Sequence, residues 1–512
     1  MSLASIYSRA RIGLDAPQVC IEIHLSNGLP AFHMVGMAET SVKEAKNRVR
    51  SAIINCGFEF PQKKIVVNLA PADLPKDGGH FDLPIAVGIL VASQQLPKNQ
   101  IDDYEFAGEL ALNGQLRKIV GDIPMAMAVR EANRQLFLPK ANAAQASRVD
   151  GVAIIALQRL DQLFAHFSGQ QRLPLHQQAE DAAAQQVLKP PCHSADMQDV
   201  IGQPLAKRAL ELAAAGSHNL LFIGPPGTGK TMLASRLPGI LPAMSDEESL
   251  QAAAIQSICS DDFDTSRWHI RPFRAPHHTA SSAALVGGGS TPMPGEISLA
   301  HNGILFLDEL PEYDRKVLDV LREPMESGEV TISRALHKTT YPAQFQLVAA
   351  MNPSPTGFYS DRRSTPEQIL RYLNKLSGPF LDRIDIQLEV ARLPKGAWNQ
   401  ANGNEESSEI IRQRVVACRQ RQLTRQGKAN AHLTSPQLKR YCRLVDDDAE
   451  FLDLAMEKLG LSTRAHHKIL KIARTIADLK QQTEIHRADL VEALSYRAMD
   501  RLIRHLTESV GP

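Results

Sequence analysis

The sequence has almost no net charge, no paired cysteines and no long apolar run. Lys and Arg number 57 against 56 Asp and Glu, a formal +1. The field of the whole molecule therefore cannot hold a polyanion, and any nucleic-acid contact has to be local. Cys20, Cys56, Cys192, Cys259, Cys418 and Cys442 are scattered without a CxxC pair, which points neither to a disulfide framework nor to a four-thiolate zinc site. The longest apolar run, Leu83 to Ala92, is short and contains Pro84, so no membrane partner is expected. No basic segment followed by an apolar core opens the chain, so a cytoplasmic address is expected. What remains, 43% hydrophobic and 22% charged over 512 residues, is the composition of folded protein with room for two to four domains. No repeat of solenoid period is present.

Texture divides the chain. A Gln/Ala-rich polar stretch from about 176 to 189, followed by Pro190-Pro191, reads as a linker. Before it, strand patterns such as Val19 to Leu25 and Lys64 to Leu69 mix with helical ones such as Ser41 to Asn55 and Ile123 to Ala132, giving an α+β or α/β domain. After it, helix and strand alternate to about Val390, as in a parallel sheet with crossover helices. From Glu405 the pattern is helical. The expected layout is a first domain over 1–172, a linker over 173–194, a central domain over 195–395 and a helical domain over 396–512. Arg412, Arg414, Arg419, Arg421, Arg425 and Lys428 form the densest basic cluster. With Glu405, Glu406 and Glu409 just upstream, a solvated helix face is favoured over a DNA patch.

The central region carries the chemistry. Gly224-Pro225-Pro226-Gly227-Thr228-Gly229-Lys230-Thr231 matches GxxxxGK[ST] and sits between an apolar strand, Leu220 to Ile223, and a helix start. Glycines let backbone N–H groups turn inward around phosphates, a lysine reaches the β/γ oxygens as a point charge, and a hydroxyl completes a Mg²⁺ shell. Downstream, Ile304-Leu305-Phe306-Leu307-Asp308-Glu309 is a buried strand ending in two carboxylates. Asp308 is placed for the metal shell, and Glu309 to orient and activate water. Gln346 to Met351 is another buried strand, and Asn352 after it could hold the attacking water. Arg383, in Ser377 to Asp385, and Arg464, in Leu461 to Arg464, are guanidiniums suited to a γ-phosphate. Each by itself reads equally well as a structural ion pair.

Together these segments resemble an AAA+ ATPase of the magnesium-chelatase-like branch. The signs are Asp199-Val200-Ile201-Gly202-Gln203, GPPGTGKT, ILFLDE, AAMNP, LSGPFLDRID and LSTRAHHKILKIARTIADL. Over nearly its whole length the chain is similar to the ComM/YifB family of competence-associated proteins. That resemblance implies an α/β fold: a parallel-sheet ATPase core with a C-terminal helical lid, preceded by a Lon-protease-like α/β domain. It implies Lys230 and Thr231 as phosphate-loop ligands, Ile201 among the nucleotide contacts, Asp308 and Glu309 as the acidic pair and Asn352 as first sensor. Arg383 would be a finger reaching a neighbour's nucleotide, and Arg464 a second sensor on the lid.

The implied ligands are ATP and Mg²⁺. The implied assembly is a homo-hexamer promoted by nucleotide or DNA, acting on single-stranded and branched DNA, with recombination proteins as further partners. The implied activity is that of a helicase promoting branch migration when single-stranded DNA is integrated in natural transformation and homologous recombination. The alternative is a chaperone-like motor subunit that remodels a protein partner, as in magnesium chelatase.

Two further segments bear on DNA. An insertion carries the loop-formers Gly287-Gly288-Gly289 and Pro292 to Glu296. Glu329 to Ser333 then reads as a strand, Arg334 to Lys338 as a turn, and the chain returns through Tyr341. By resemblance these face the central pore. Arg334, His337 and Lys338 are then the candidate DNA contacts, and six copies would give the pore a positive collar that grips any sequence. An exposed basic hairpin facing water is the other reading.

His277-His278 and His466-His467 lack the carboxylates or thiolates that would complete a metal site, and Trp268 reads as a packing residue. In the first domain, Asp73 to Asp82 and Ala107 to Ile119 resemble the Lon-type serine/lysine peptidases. Where the serine is expected, the chain reads Gly79-His80-Phe81-Asp82, so a domain that does not cleave peptides is expected.

Overall fold

The computed structural model describes residues 2–36, 40–176, 195–259, 267–289, 292–333, 338–358, 363–394 and 405–510, with 40–43 described only as helix. Most of the expected linker, and the hairpin residues Arg334 and His337, lie outside these.

The amino-terminal part is built on seven strands: β1 (Ser2–Arg9), β2 (Gln18–Ser26), β3 (Ala31–Val35), β4 (Lys64–Ala70), β5 (Tyr104–Phe106), β6 (Gln135–Pro139) and β7 (Ala153–Leu157). Their order in the sheet is β3-β4-β2-β1-β5-β6-β7. In β2 the inward residues Val19, Ile21, Ile23 and Leu25 alternate with more exposed ones, as a strand with one covered face requires. Helix α1 (Thr40–Asn55) and helix α2 (Asp82–Ala92) cover that face. Every residue of α2 is buried, which is how an apolar run too short for a membrane is accommodated.

The central part is a five-stranded sheet of β8 (Leu220–Ile223), β9 (Phe273–Arg274), β10 (Ile304–Leu307), β13 (Gln346–Met351) and β14 (Ile386–Glu389), ordered β9-β10-β13-β8-β14. All of its pairings are parallel. The inner strands β8, β10 and β13 are buried along their whole length because both faces are covered. Leu220 and Phe222 pack into one core with α4 (Pro204–Gly216), whereas Leu221 and Ile223 pack into the other. Strands β11 (Glu329–Ser333) and β12 (Lys338–Pro342) form the expected hairpin, pairing antiparallel from Glu329 with Pro342 to Ser333 with Lys338. Lys338, the first residue of β12, is exposed.

Contacts between the two parts run through the insertion and the hairpin. Helix α3 (Asp122–Glu131) packs against α6 (Asp246–Cys259), and the Gly121 N–H donates to the Ser257 carbonyl at 3.0 Å. Trp268 is 8% exposed in this seam, with the Arg148 guanidinium 5.4 Å from its ring centroid, so it packs as expected. A Cβ at Gly13 would lie 2.3 Å from Thr339 Cγ2, so the turn after β1 presses on strand β12.

From 405 to 510 the chain is helical, including α7 (Ser408–Gln426), α8 (Thr463–Leu479) and α9 (Ala498–Val510). The arginines of α7 correct the expectation of a solvated face. Arg414 pairs with Glu211 and Glu406, and Arg419 donates to the Ala214 and Ala215 carbonyls. Arg421 donates to the Asp478 carbonyl, and Arg425 grips the Asp478 carboxylate at 2.6 and 2.9 Å. These guanidiniums fasten α7 to α4 and α8. Planar forks with five donors can satisfy buried carbonyls and carboxylates that water would otherwise serve.

Candidate nucleotide site

Three strands deliver their carboxyl ends to one edge of the central sheet. Because β8, β10 and β13 run parallel, the residues that follow them emerge side by side, at the edge where open α/β sheets take ligands. The Gly224 N–H donates to the Met351 carbonyl at 3.1 Å, which sets the loop against Asn352. A Cβ at Gly224 would lie 2.4 Å from the Val390 carbonyl, so only glycine fits that approach. Gly229, with φ of 85°, precedes helix α5 (Lys230–Ala234); this left-handed backbone favours glycine.

The Lys230 side chain is buried and turns into its own loop. Its ammonium donates to the Gly224 carbonyl at 2.8 Å, the Pro225 carbonyl at 3.0 Å and Asn352 Oδ1 at 3.2 Å. Burial pushes its pKa below the usual lysine range, while Asp308 and Glu309 pull the other way. Thr231 Oγ1 donates to Asp308 Oδ2 at 2.6 Å, and Asp308 Oδ1 accepts the Glu309 N–H at 2.9 Å. A hydroxyl and a carboxylate held this close are the hard oxygen donors that suit Mg²⁺, and a half-desolvated ammonium beside them suits phosphate. These residues fit a magnesium nucleotide.

The remaining expected residues are placed as follows. Pro226 and Gly227 are exposed on the loop, and Thr228 Oγ1 donates to the Pro225 carbonyl at 3.0 Å. Ile201 is half-buried ahead of α4, where Gln203 Nε2 donates to the Ala391 carbonyl at 2.7 Å just past β14. Glu309 carries a left-handed backbone, φ 51°, and its carboxylate is 3.1 Å from His278 Nδ1. His277-His278 carries no metal-site pattern in the sequence, and no local spacing links His278 to Glu309.

Neither arginine reaches this edge. The Arg383 carbonyl accepts from Asn219 Nδ2 at 3.0 Å, at the amino end of β8. Residues 219 to 224 span roughly 16 Å along the strand, so Arg383 lies on the edge away from its own phosphate loop. Its guanidinium bonds to the Arg322 and Pro379 carbonyls and to Glu326. Arg464 is 64% exposed and pairs with Asp382 at 3.5 Å, next to Arg383. Lys468, one turn along α8, reaches Asp385 at 3.5 Å, so the start of that helix sits under the amino edge. Burial opposes ionisation of Asp385, but Lys468 and His218 hold its carboxyl well below the usual range.

In the amino-terminal part the expected serine window is filled. His80 is buried with Nε2 3.0 Å from the Arg9 carbonyl, and burial pushes its pKa down to about 3. The Lys76 ammonium donates to the Pro71 carbonyl.

A phosphate loop, an acidic strand end and an amide on adjacent parallel strands, backed by a helical carboxyl-terminal region, define the α/β fold of the AAA+ class. Residues 196–398 match the family model described as Magnesium chelatase, subunit ChlI; 21–142 match Subunit ChlI of Mg-chelatase, and 405–497 match Magnesium chelatase, subunit ChlI C-terminal. The chain is 54% identical to Competence protein ComM of Haemophilus influenzae, over 99% of this chain and 100% of that one. It is 54% identical to YifB of Salmonella typhimurium and 52% identical to YifB of Escherichia coli, each over 99% of both chains. It belongs to the ComM/YifB family of magnesium-chelatase-like AAA+ proteins. ATP and Mg²⁺ are the general ligands of that class. Among the described residues no helix is long and apolar enough to cross a membrane.

Proposed function

We propose that this protein is an ATP-driven DNA motor that works as a homo-hexameric ring and promotes branch migration while incoming single-stranded DNA is integrated by recombination. The name of the Haemophilus relative, a competence protein, supports natural transformation as the setting. The position of Arg383 carries the reading. It lies on the amino edge of the sheet beside Asn219, too far from its own loop to serve it, and Arg464 stands next to it through Asp382. Two guanidiniums on the edge opposite a nucleotide site suit a neighbouring copy's γ-phosphate.

In this reading Lys230 and the loop N–H groups hold the phosphates, and Thr231 and Asp308 hold Mg²⁺, which when bound neutralises phosphate charge. Glu309 orients the attacking water and draws its proton, with Asn352 holding the amide side of the site. The neighbour's Arg383 meets charge developing in the transition state. Arg383→Ala should therefore bind nucleotide but turn over about 10³-fold more slowly. Mixing it with Lys230→Ala protein should restore part of the phosphate release, since some interfaces then combine an intact loop with an intact finger. Mixtures that stay as inactive as their components remove the shared site.

DNA grip is assigned to the β11–β12 hairpin, where Lys338 is exposed at the start of β12 and Arg334 and His337 lie between the two strands in sequence. Replacing Arg334 and Lys338 with alanine should abolish the DNA-stimulated part of ATP turnover and flatten its salt dependence. A stimulation equal to wild type would remove the hairpin from the motor. The decisive assay supplies a three-stranded or four-way DNA junction with ATP and Mg²⁺ and follows strand products alongside phosphate release.

The match of all three segments to magnesium-chelatase subunit models favours a second reading, a chaperone-like motor that remodels a protein partner. Porphyrin-dependent ATPase with a co-purifying chelatase subunit would support it. The buried His80 and Lys76 support a domain that assembles or contacts rather than cleaves peptides.

A further inference from the structure

We infer that the turn at residues 12–15 of the amino-terminal part is a buttress that holds the β11–β12 hairpin, and with it Lys338, in place for DNA, and that residues 76–82 brace this turn from behind. This rests on the reading of the hairpin as the DNA grip, and it gives the amino-terminal part a positioning role in that grip.

A two-stranded hairpin is marginal in water unless one face packs on something. Val330, Ile332, Thr339 and Tyr341 form the buried face of this one, and the residues between them on each strand, Thr331 and Thr340, are exposed. The insertion covers part of the buried face: Tyr341 Oη donates to the Pro292 carbonyl at 2.8 Å, and a Cβ at Gly287 would lie 2.7 Å from Ile332 Cδ1. The amino-terminal turn covers another part. A Cβ at Gly13 would lie 2.3 Å from Thr339 Cγ2 and 3.4 Å from Tyr341 Oη. Leu14, next to it, packs on the core that holds Val330, Ile332 and Tyr341 and also on the core that holds Trp268.

The turn is itself held. Ile12 and Asp15 exchange both backbone hydrogen bonds at 3.0 Å, closing a two-residue turn whose first residue, Gly13, has a φ of 61°, a backbone that suits glycine. Behind it, the Arg11 guanidinium lies 3.5 Å from the Asp77 carboxylate, and a Cβ at Gly78 would come 3.3 Å from Arg11 Nη2. On the same limb His80 Nε2 is 3.0 Å from the Arg9 carbonyl. The Arg11 stem also passes Gly121, where a Cβ would lie 3.1 Å from its Cδ, and the Gly121 N–H is the group that donates to Ser257 of α6. Residues 76–82, which include no serine, thus engage the base of the turn through Asp77 and His80. Packing then carries their hold through Gly13 to the hairpin.

The test is hydrogen exchange of the full chain, read over β11 and β12, beside ATP turnover with and without single-stranded DNA. Gly13→Ala sets a methyl group against Thr339 Cγ2 in a backbone that disfavours it, and should lower protection of the hairpin amides roughly fivefold, with β8 and β13 protected as in wild type. The DNA-stimulated increment of kcat should fall with it, while the DNA-free kcat and KM for ATP stay unchanged. Adding Thr339→Ser, which removes Cγ2 and keeps the hydroxyl, should restore most of both readings. Arg11→Ala, which introduces no clash, should move both readings in the same direction, and Arg11→Lys should move them less. Hairpin protection equal to wild type in Gly13→Ala and Arg11→Ala would overturn the buttress. So would protection lost across the whole chain, or Gly13→Ala effects that Thr339→Ser leaves untouched. A loosened hairpin with undiminished DNA stimulation would overturn its bearing on DNA. If DNA does not stimulate wild-type turnover, the motor reading fails, while the exchange over the hairpin still decides the buttress.

Discussion

Replacing Lys230 with alanine is expected to weaken nucleotide binding by about 10²-fold or more and to reduce phosphate release to background. The reason lies in what the ammonium does inside the loop. It is buried, donates to the carbonyls of Gly224 and Pro225 and to Asn352 Oδ1, and is the cation set among groups that would otherwise repel a triphosphate, Asp308 and Glu309. Alanine removes the charge and leaves those carbonyls without their donor, an unmade bond that itself costs about 1–3 kcal/mol. Lys230→Arg should not rescue, because the broad guanidinium fork does not fit a point-charge position between two loop carbonyls. Binding of a fluorescent nucleotide together with phosphate release measures both effects. Affinity within about threefold of wild type would show that the loop does not hold phosphate through Lys230.

Glu309→Gln is expected to separate binding from turnover. The amide keeps the shape of the side chain but loses the basicity, so nucleotide should bind as tightly as in wild type or more tightly, since one negative charge near the phosphates is gone. Hydrolysis should slow by about 10²- to 10⁴-fold, the usual span for loss of a general base. Single-turnover measurements on preloaded protein distinguish this from slow product release. Phosphate release within about threefold of wild type would move the base to another residue. Asp308→Asn should not reproduce this separation, because Asp308 bonds Thr231 Oγ1 at 2.6 Å and braces the Glu309 backbone at 2.9 Å, so its loss disturbs binding as well.

Both predictions concern residues that the sequence exposes by local pattern. A glycine-rich octapeptide after an apolar strand, and two carboxylates after another, can be read without knowing what surrounds them. The strand that ends at Asn352 was legible for the same reason, as was the hairpin from Glu329 to Pro342. His278 was not. Its partner lies beyond the whole insertion, and an HH dipeptide more often packs or faces solvent than acts. In sequence the arginines of α7 show only upstream glutamates as partners, which points to a solvated face. Their partners include Glu211, the backbone of Ala214 and Ala215, and Asp478, which periodicity cannot reveal. Arg464 could be placed on a helix from sequence, but not beside Asp382.

By itself, then, the sequence determined the parallel α/β core, the phosphate loop and the acidic strand end, because each is encoded within a few consecutive residues whose backbone and burial demands are local. The tertiary structure alone decided which edge of the sheet receives Arg383 and Arg464, that the α7 cations are spent inside the molecule, and that an imidazole meets Glu309. Those pairings join distant segments, and only packing selects which side chains come within a few ångströms of each other.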